Sequence, residues 1–408
     1  MPAPPSSLAD LVTGFSLARP PAGFVDDPYP FYDALRTLDP VHALGPDSVL
    51  LTRYDDVLAV YRSAQASSDK RVEFAPKLGE GSPIFEHHTT SLVFSDPPLH
   101  TRVRRILMGA LNQRAIARME PGLVSLVDAL LDRLADEPAP DLVAHFAAQI
   151  PVEVIGNLLE VPHGDRGPLR GWSLDILSAL EPAPGAEVLA RASQAVTAFG
   201  AYLQELIDDR RRHPGDADAD VLTRLLRGDA EGQLSAGELL HNCMFLLNAG
   251  HETTTNLIGN GLDALLTHRD QLERLAANAS LLPTAIEELL RYESPLQLNN
   301  RRTTAPVPIS DRELPPGTFV TLAIGAANRD PAVFEDPHRL DVARRPNNHL
   351  AFGQGAHACS GMNVARLEGR IAIGRLLARH PHLQRRGAPE RDPRVRFRGL
   401  RRLPVALA

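Results

Sequence analysis

The chain has 408 residues, a formal net charge of −7 and an apolar fraction of 43%. This acidic balance leaves no basic footprint for nucleic acid, no apolar run is long enough to span a bilayer, and there is ample chain for a large buried core. Cys243 and Cys359 are the only cysteines, so a disulfide framework or a multi-cysteine metal centre is excluded.

From the start, Met1-Pro2-Ala3-Pro4-Pro5-Ser6-Ser7 lacks the basic-then-apolar pattern of a secretory leader, which predicts a cytoplasmic protein. Residues 1–20 are expected to form a flexible segment ending at the Pro20-Pro21-Ala22-Gly23 loop. Val49-Leu50-Leu51-Thr52 is a short β-type run. In the stretch from Asp96 to Arg105, His100 and Arg104 are four apart and share a helical face, while Arg102 points away. Taken alone, this is a basic, solvated helix face. Leu123, Val127, Leu130 and Leu131, then Ile150, Val154, Leu158 and Leu159, recur at helical spacing.

The clearest start belongs to a long helix. Ser235 and Glu238 form a capping-box pattern, with Leu234 and Leu239 as the hydrophobic staple. The pattern runs to about Thr267, a span of roughly 45 Å at about 1.5 Å per residue, so the helix must cross the core. Inside it, Met244-Phe245-Leu246-Leu247 gives way to Ala249-Gly250-His251-Glu252-Thr253-Thr254-Thr255 before apolar residues resume at Leu257. Threonine hydroxyls bonding back to carbonyls would bend such a helix, and Gly250 leaves room against its backbone. His251 is read as structural or superficial, and Cys243 as core.

Further on, Glu288 and Arg291 stand one turn apart; in isolation such a pair is usually exposed and weak. Asn300-Arg301-Arg302 precedes the β-type run from Thr318 to Leu322, and Pro337-His338-Arg339-Leu340 follows. The segment from Phe352 to Gly361 is a glycine-punctuated loop presenting Cys359 before a helix through Val364, Leu367, Ile371 and Leu376. Unpaired amides at that helix mouth favour an anion. A lone cysteine is by composition most often a small core residue. The glycine-lined approach favours an axial ligand to haem iron, or a covalent nucleophile. Val395-Arg396-Phe397 is a last β-type run.

Phe352, Gly353, Gly355, His357, Cys359 and Gly361 together resemble the haem-binding loop of the cytochrome P450 family, and Ala365 and Glu368 stand where the family's next helix carries Ala and Glu. The resemblance implies a mainly α fold with a minor β region, with haem b between the long central helix and the cysteine loop. It implies one haem domain over residues 1–408, although length alone suggests two or three domains.

By the same resemblance Cys359 is the iron's axial ligand, Phe352, Gly353, Gly361 and Ala249 contact the haem, and His100, Arg104, Arg301 and His357 anchor its propionates. Gly250, Glu252 and Thr253 correspond to the oxygen pocket with its acid and alcohol, which pass protons to bound dioxygen. Glu288, Arg291 and Arg339 form the structural charge network that supports the loop.

The implied activity is monooxygenation, by hydroxylation or epoxidation, of a small apolar or amphipathic substrate. Since the chain has no flavin or nicotinamide phosphate loop, electrons come from a separate ferredoxin or flavodoxin with its reductase, docking on Arg102, Arg105, Arg366 and Arg370. A haem-binding sensor or carrier without turnover, or a relative catalysing oxidative coupling or rearrangement, are the alternatives. Substrate contacts are expected within Arg71–Phe94 and near Trp172–Leu180, Leu247, Asn248 and Pro295–Asn300. Phe74, Ile84, Phe85, Leu92, Val93 and Leu296 supply apolar surface there, and His87, His88, Gln297, Asn299 and Asn300 polar groups.

Overall fold

The computed structural model describes residues 8–215, 221–230 and 234–407. Residues 1–7 of the expected N-terminal segment lie outside that range. The remainder departs from the expectation of flexibility: Phe15 and Leu17 are buried, and Phe15 packs edge-on to Phe24 with ring centroids 5.3 Å apart. Such aromatic contacts bury enough apolar area to hold a short segment down.

Helices make up most of the molecule. Those that bear on the site are α1 (Pro83–Thr90), α2 (Leu99–Ala110), α3 (Gln113–Asp136), α4 (Gln149–Leu158), α5 (Leu169–Ser178), α6 (Ala186–Arg212), α7 (Ala236–Thr267), α8 (Leu282–Tyr292) and α9 (Met362–Arg379). Helix α7 is the one announced by the capping box. The Ser235 side chain accepts from the Glu238 N–H at 3.2 Å, and the Glu238 carboxylate accepts from the Ser235 N–H at 2.8 Å. With 32 residues it runs through the middle of the largest core cluster, burying Leu257, Ile258, Leu262 and Leu265.

Two glycine contacts set how tightly the helices around α7 can pack. A Cβ on Gly261 would sit 2.9 Å from Leu289 of α8, and one on Gly369 of α9 would sit 3.2 Å from Leu257. Small residues at these crossings let α7, α8 and α9 approach as a unit, which brings the cysteine loop ahead of α9 beneath the polar patch of α7.

A small mixed sheet flanks the helices. Its strands are β1 (Val41–Gly45), β2 (Ser48–Leu51), β3 (Ala66–Ser67), β4 (Leu298–Thr303) and β5 (Phe319–Ala323), in the order β1-β2-β5-β4-β3. Only β2 and β5 run parallel, with Val49 opposite Val320; in the antiparallel pair of β4 and β5, Arg301 lies opposite Val320. The run Val395-Arg396-Phe397 is reduced to one antiparallel bridge, Phe397 with Leu296, where the Gln297 N–H donates to Arg396 O at 2.8 Å and the Arg398 N–H to Pro295 O at 2.9 Å. Its own N–H groups donate to the Glu181 carboxylate, at 2.9 Å from Val395 and 3.0 Å from Arg396, which ends the pairing on that side. Among the described residues no helix is long and apolar enough to cross a membrane.

Candidate active site

The cysteine loop is shaped by backbone demands. Gly353 and Gly355 take positive φ, 64° and 73°, and a Cβ on Gly355 would collide with the carbonyl oxygen of Tyr61. The fold over that carbonyl closes a turn in which the Cys359 N–H donates to Phe352 O at 2.8 Å. Cys359 has exposed surface because its side chain faces the open space of a cavity. Burial pushes its thiol up, while the Gly361 N–H, Arg104 and Arg366 act in the opposite direction. The sulfur therefore has partners for negative charge and no second protein ligand. Gly361 itself needs no special backbone angle, and a Cβ there would meet nothing.

The polar patch of α7 reaches the same cavity. Ala249, Gly250, Thr253 and Thr254 line the same cavity as Cys359. Gly250 has a packing reason as well: a Cβ there would run into the Ile155 side chain of α4. The Thr253 hydroxyl donates to Ala249 O at 2.9 Å. Glu252 turns away from the cavity; it is buried and ion-paired to Arg394, which also holds Asp392 at 2.9 Å. Sequence reasoning missed Arg394, since nothing local to Asp392-Pro393-Arg394 announces a partner on α7. His251 is buried, not superficial, with burial lowering its imidazole to about 4. Cys243 is fully buried. Thr254 donates to Glu368 of α9 at 3.3 Å, and burial raises that carboxyl to about 8.

The residues present fit a haem. His100 and His357 pack as tilted rings with centroids 3.9 Å apart on the cavity wall, and His100 Nε2 is buried without a partner. Burial, then Arg301, His100 and Arg104, lower His357 to about 2, and Arg301 and Arg104 place two positive charges close to it. Two carboxylates would offset them. Arg104 donates to Ser360 at 3.1 Å, and Arg301 is buried, donating to Asn300 O at 2.8 Å. Phe352 and Gly353 line the cavity beside the sulfur.

The charge network under the loop is more extensive than a pair, and its third member differs from the expectation. Arg291 is fully buried, donates twice to Glu288 at 2.7 and 2.8 Å, and reaches the carbonyls of Asn328, Pro337 and Arg339. Arg339 contributes that carbonyl only; its side chain is exposed. Arg344 takes the expected place, donating to Glu288 at 3.1 Å with its side chain 11% exposed. The turn through residues 337–340 aims the Arg339 side chain outward, and the chain must run on to Arg344 before a side chain faces back.

Of the expected substrate-contact residues, His87, His88, Leu92, Val93, Asn248, Leu296 and Asn299 line the cavity. Phe74, Ile84, Phe85, Leu247, Gln297 and Asn300 do not; Gln297, for one, is turned away to donate to Ser294 O at 2.8 Å. From α7 the cavity takes Phe245 and Leu246 in place of Leu247, and from the C-terminal region Arg396 and Phe397. Trp172 stacks on Phe199 of α6, with ring centroids 5.1 Å apart.

The basic patch proposed for docking is partly neutralised. Arg102 pairs with Glu238 at 2.8 Å, Arg366 with Glu287 at 2.7 Å, and Arg370 with Glu120 at 3.5 Å. Arg105 remains exposed, with no ion pair among the described residues.

The cytochrome P450 family model matches residues 174–397. The chain is 41% identical over 401 residues to cytochrome P450 107B1 of Saccharopolyspora erythraea, covering 94% of this chain and 95% of that protein. It is 38% identical to 6-deoxyerythronolide B hydroxylase of the same organism, covering 93% and 96%. Among solved structures it is similar to P450BioI in complex with an acyl carrier protein ligated to hexadec-9Z-enoic acid. There the TM-score is 0.89 at 34% identity, covering 95% of this chain and 100% of that one.

Proposed function

The chain belongs to the cytochrome P450 family, and from that premise we propose how its residues divide the work of a haem-thiolate monooxygenase. Haem b held by a cysteine supplies dioxygen binding and activation in such enzymes. Cys359 would hold the haem iron through its thiolate, whose negative charge the Gly361 N–H and the nearby Arg104 and Arg366 stabilise. His100, Arg104, Arg301 and His357 would hold the propionates, and Phe352, Gly353, Gly361 and Ala249 would contact the haem.

On the α7 side, Thr253 holds a proton at Oγ1 on the cavity wall. Turning its O–H from Ala249 O toward the cavity presents that proton, and Glu252, once it has left Arg394 and taken up a proton from solvent, restores it. Gly250 keeps the helix backbone bare between them. Glu288 and Arg291, with Arg344, support the loop and take no part in the chemistry.

The substrate is a small apolar or amphipathic organic molecule, hydroxylated or epoxidised, and electrons arrive from a separate ferredoxin or flavodoxin with its reductase. The names of two relatives, 6-deoxyerythronolide B hydroxylase and vitamin D(3) 25-hydroxylase, support hydroxylation. The observation that carries the residue assignment is that Cys359 and Thr253, from the loop and from α7, line one cavity. Reduced protein exposed to carbon monoxide tests it: a Soret band far to the red reports thiolate ligation, and Cys359→His should abolish that band. A band at the position of histidine-ligated haem in the unaltered protein would remove Cys359 as ligand.

A further inference from the structure

A second cavity adjoins the one that Cys359 and Thr253 line. Phe94, Leu180 and Arg396 line both and form the neck between them. Cys359 does not reach the second cavity, where Leu17, Phe74 and Phe319 supply apolar surface and Lys70 and Lys77 add cations. The arginines lining the cavity of Cys359 are Arg104 and Arg396. Arg104 belongs to the group assigned to the propionates, which leaves Arg396 without a task.

The hydrogen bonds of Arg396 occupy only part of what a guanidinium offers, which is five N–H donors and a charge that persists at physiological pH. Nη1 donates to Leu298 O at 3.3 Å and Nη2 to Asn300 Oδ1, both neutral acceptors, while Nε is closed off without a partner. One N–H on each terminal nitrogen is left over. The residue is half-buried, with surface remaining where it lines the two cavities.

Its neighbours along the chain are neutralised. Arg394 pairs with Glu252 and Asp392, and Arg398 with Glu293 at 2.6 Å. Arg396 has no ion pair among the described residues, although a charge withdrawn from water ordinarily has one. Burial lowers its pKa, and Glu181 and then Tyr61 act in the opposite direction. The Glu181 carboxylate is already engaged, accepting from the N–H groups of Val395, Arg396 and Phe397. Glu73, the carboxylate lining the second cavity, is taken by Arg302.

We propose that Arg396 is a specificity-determining residue that anchors a carboxylate at the neck, so that the substrate is a carboxylic acid whose apolar body extends into the cavity of Cys359. The carboxylate accepts from the N–H groups left on the terminal nitrogens and is the counter-ion that Arg396 lacks. Phe94 and Leu180 pack on the carbons next to it. A methyl ester keeps an acceptor and loses the charge. This rests on the reading of the cavity of Cys359 as the substrate chamber.

The test is calorimetric titration of the holoprotein at low ionic strength with decanoic, tetradecanoic and cholanic acids, each beside its methyl ester. At least one acid is expected to bind about ten-fold tighter than its ester, equivalent to about 1.4 kcal/mol. Arg396→Gln is expected to bring that ratio close to one while the ester binds as before, and Arg396→Lys to keep part of it through its charge. No acid preference in the unaltered protein, or no acid binding at all, overturns the proposal without reliance on a variant. A preference that survives Arg396→Gln also overturns it, handing the anion to Lys70 or Lys77, and so does equal weakening of acid and ester, which marks a purely structural arginine. The carbon monoxide band recorded on the unaltered protein separates this from the haem assignment: loss of the band removes Cys359 as ligand, whereas an intact band with no acid preference removes the anchor alone.

Discussion

Thr253 meets two requirements with one hydroxyl, a bond to Ala249 O within the helix and a proton presented to the cavity. Thr253→Ala removes the second and leaves a helix that folds at least as well, alanine being the better helix former. Product formed per electron pair is expected to fall about ten-fold, with hydrogen peroxide accounting for the lost electrons, while Thr253→Ser retains most of the coupling. Coupling measured as product against reductant consumed decides this, and unchanged coupling in Thr253→Ala removes the role. Glu368 makes a prediction of a different kind. Burial raises its carboxyl to about 8, so the folded protein binds a proton there that the unfolded chain releases above its ordinary range near 4.5. Stability from this group is complete below about 4.5 and is lost as pH rises toward about 8, at up to about 1.4 kcal/mol per pH unit. Urea midpoints taken across that range should decline less steeply in Glu368→Gln than in the parent, and parallel declines would show that the carboxyl does not titrate there. Neither Glu368 nor Arg394 could be given its role from neighbouring residues. Each depends on what another helix or a distant segment brings to it, whereas Gly355 before Cys359 reports a backbone requirement contained within the loop.

Among the elements, the hub around Glu288 illustrates what local spacing can and cannot reveal. Glu288 and Arg291 sit one turn apart on α8, so their pairing is legible from sequence. Which later arginine completes the hub depends on the path of an irregular segment, and Arg344 does so where Arg339 was expected. Arg344→Ala leaves a buried carboxylate short of a charged donor and should cost about 3 kcal/mol in chemical denaturation. Arg339→Ala removes an exposed side chain and spares its carbonyl, and should stay within about 0.5 kcal/mol. Equal losses in the two variants would contradict this division. Helix α7 was legible for the opposite reason: Ser235, Glu238 and the leucine staple are all within one turn of each other. The run at Val395-Arg396-Phe397 has strand composition, but Glu181 takes amides on one side and only the bridge to Leu296 forms, and no property of the run itself reveals that.

At the scale of the whole molecule, electron entry depends on a surface and not on a motif. Three of the four arginines expected to attract a redox partner are occupied by Glu238, Glu287 and Glu120, so long-range attraction rests on Arg105. Arg105→Glu is expected to slow reduction by an added ferredoxin about three- to ten-fold at low ionic strength, and less in high salt. Stopped-flow reduction with unchanged rates would place the docking surface elsewhere. The Glu252–Arg394 contact has a consequence for biosynthesis as well. It joins positions far apart in the chain, and Arg396 and Phe397 close the cavity from the same segment. At about 5–20 residues per second, roughly 7 to 30 s separate the synthesis of Glu252 from that of Arg394. Through that interval on the ribosome the polar middle of α7 has neither its counter-ion nor its covering wall, so stable haem capture has to wait until the nascent chain has passed position 397.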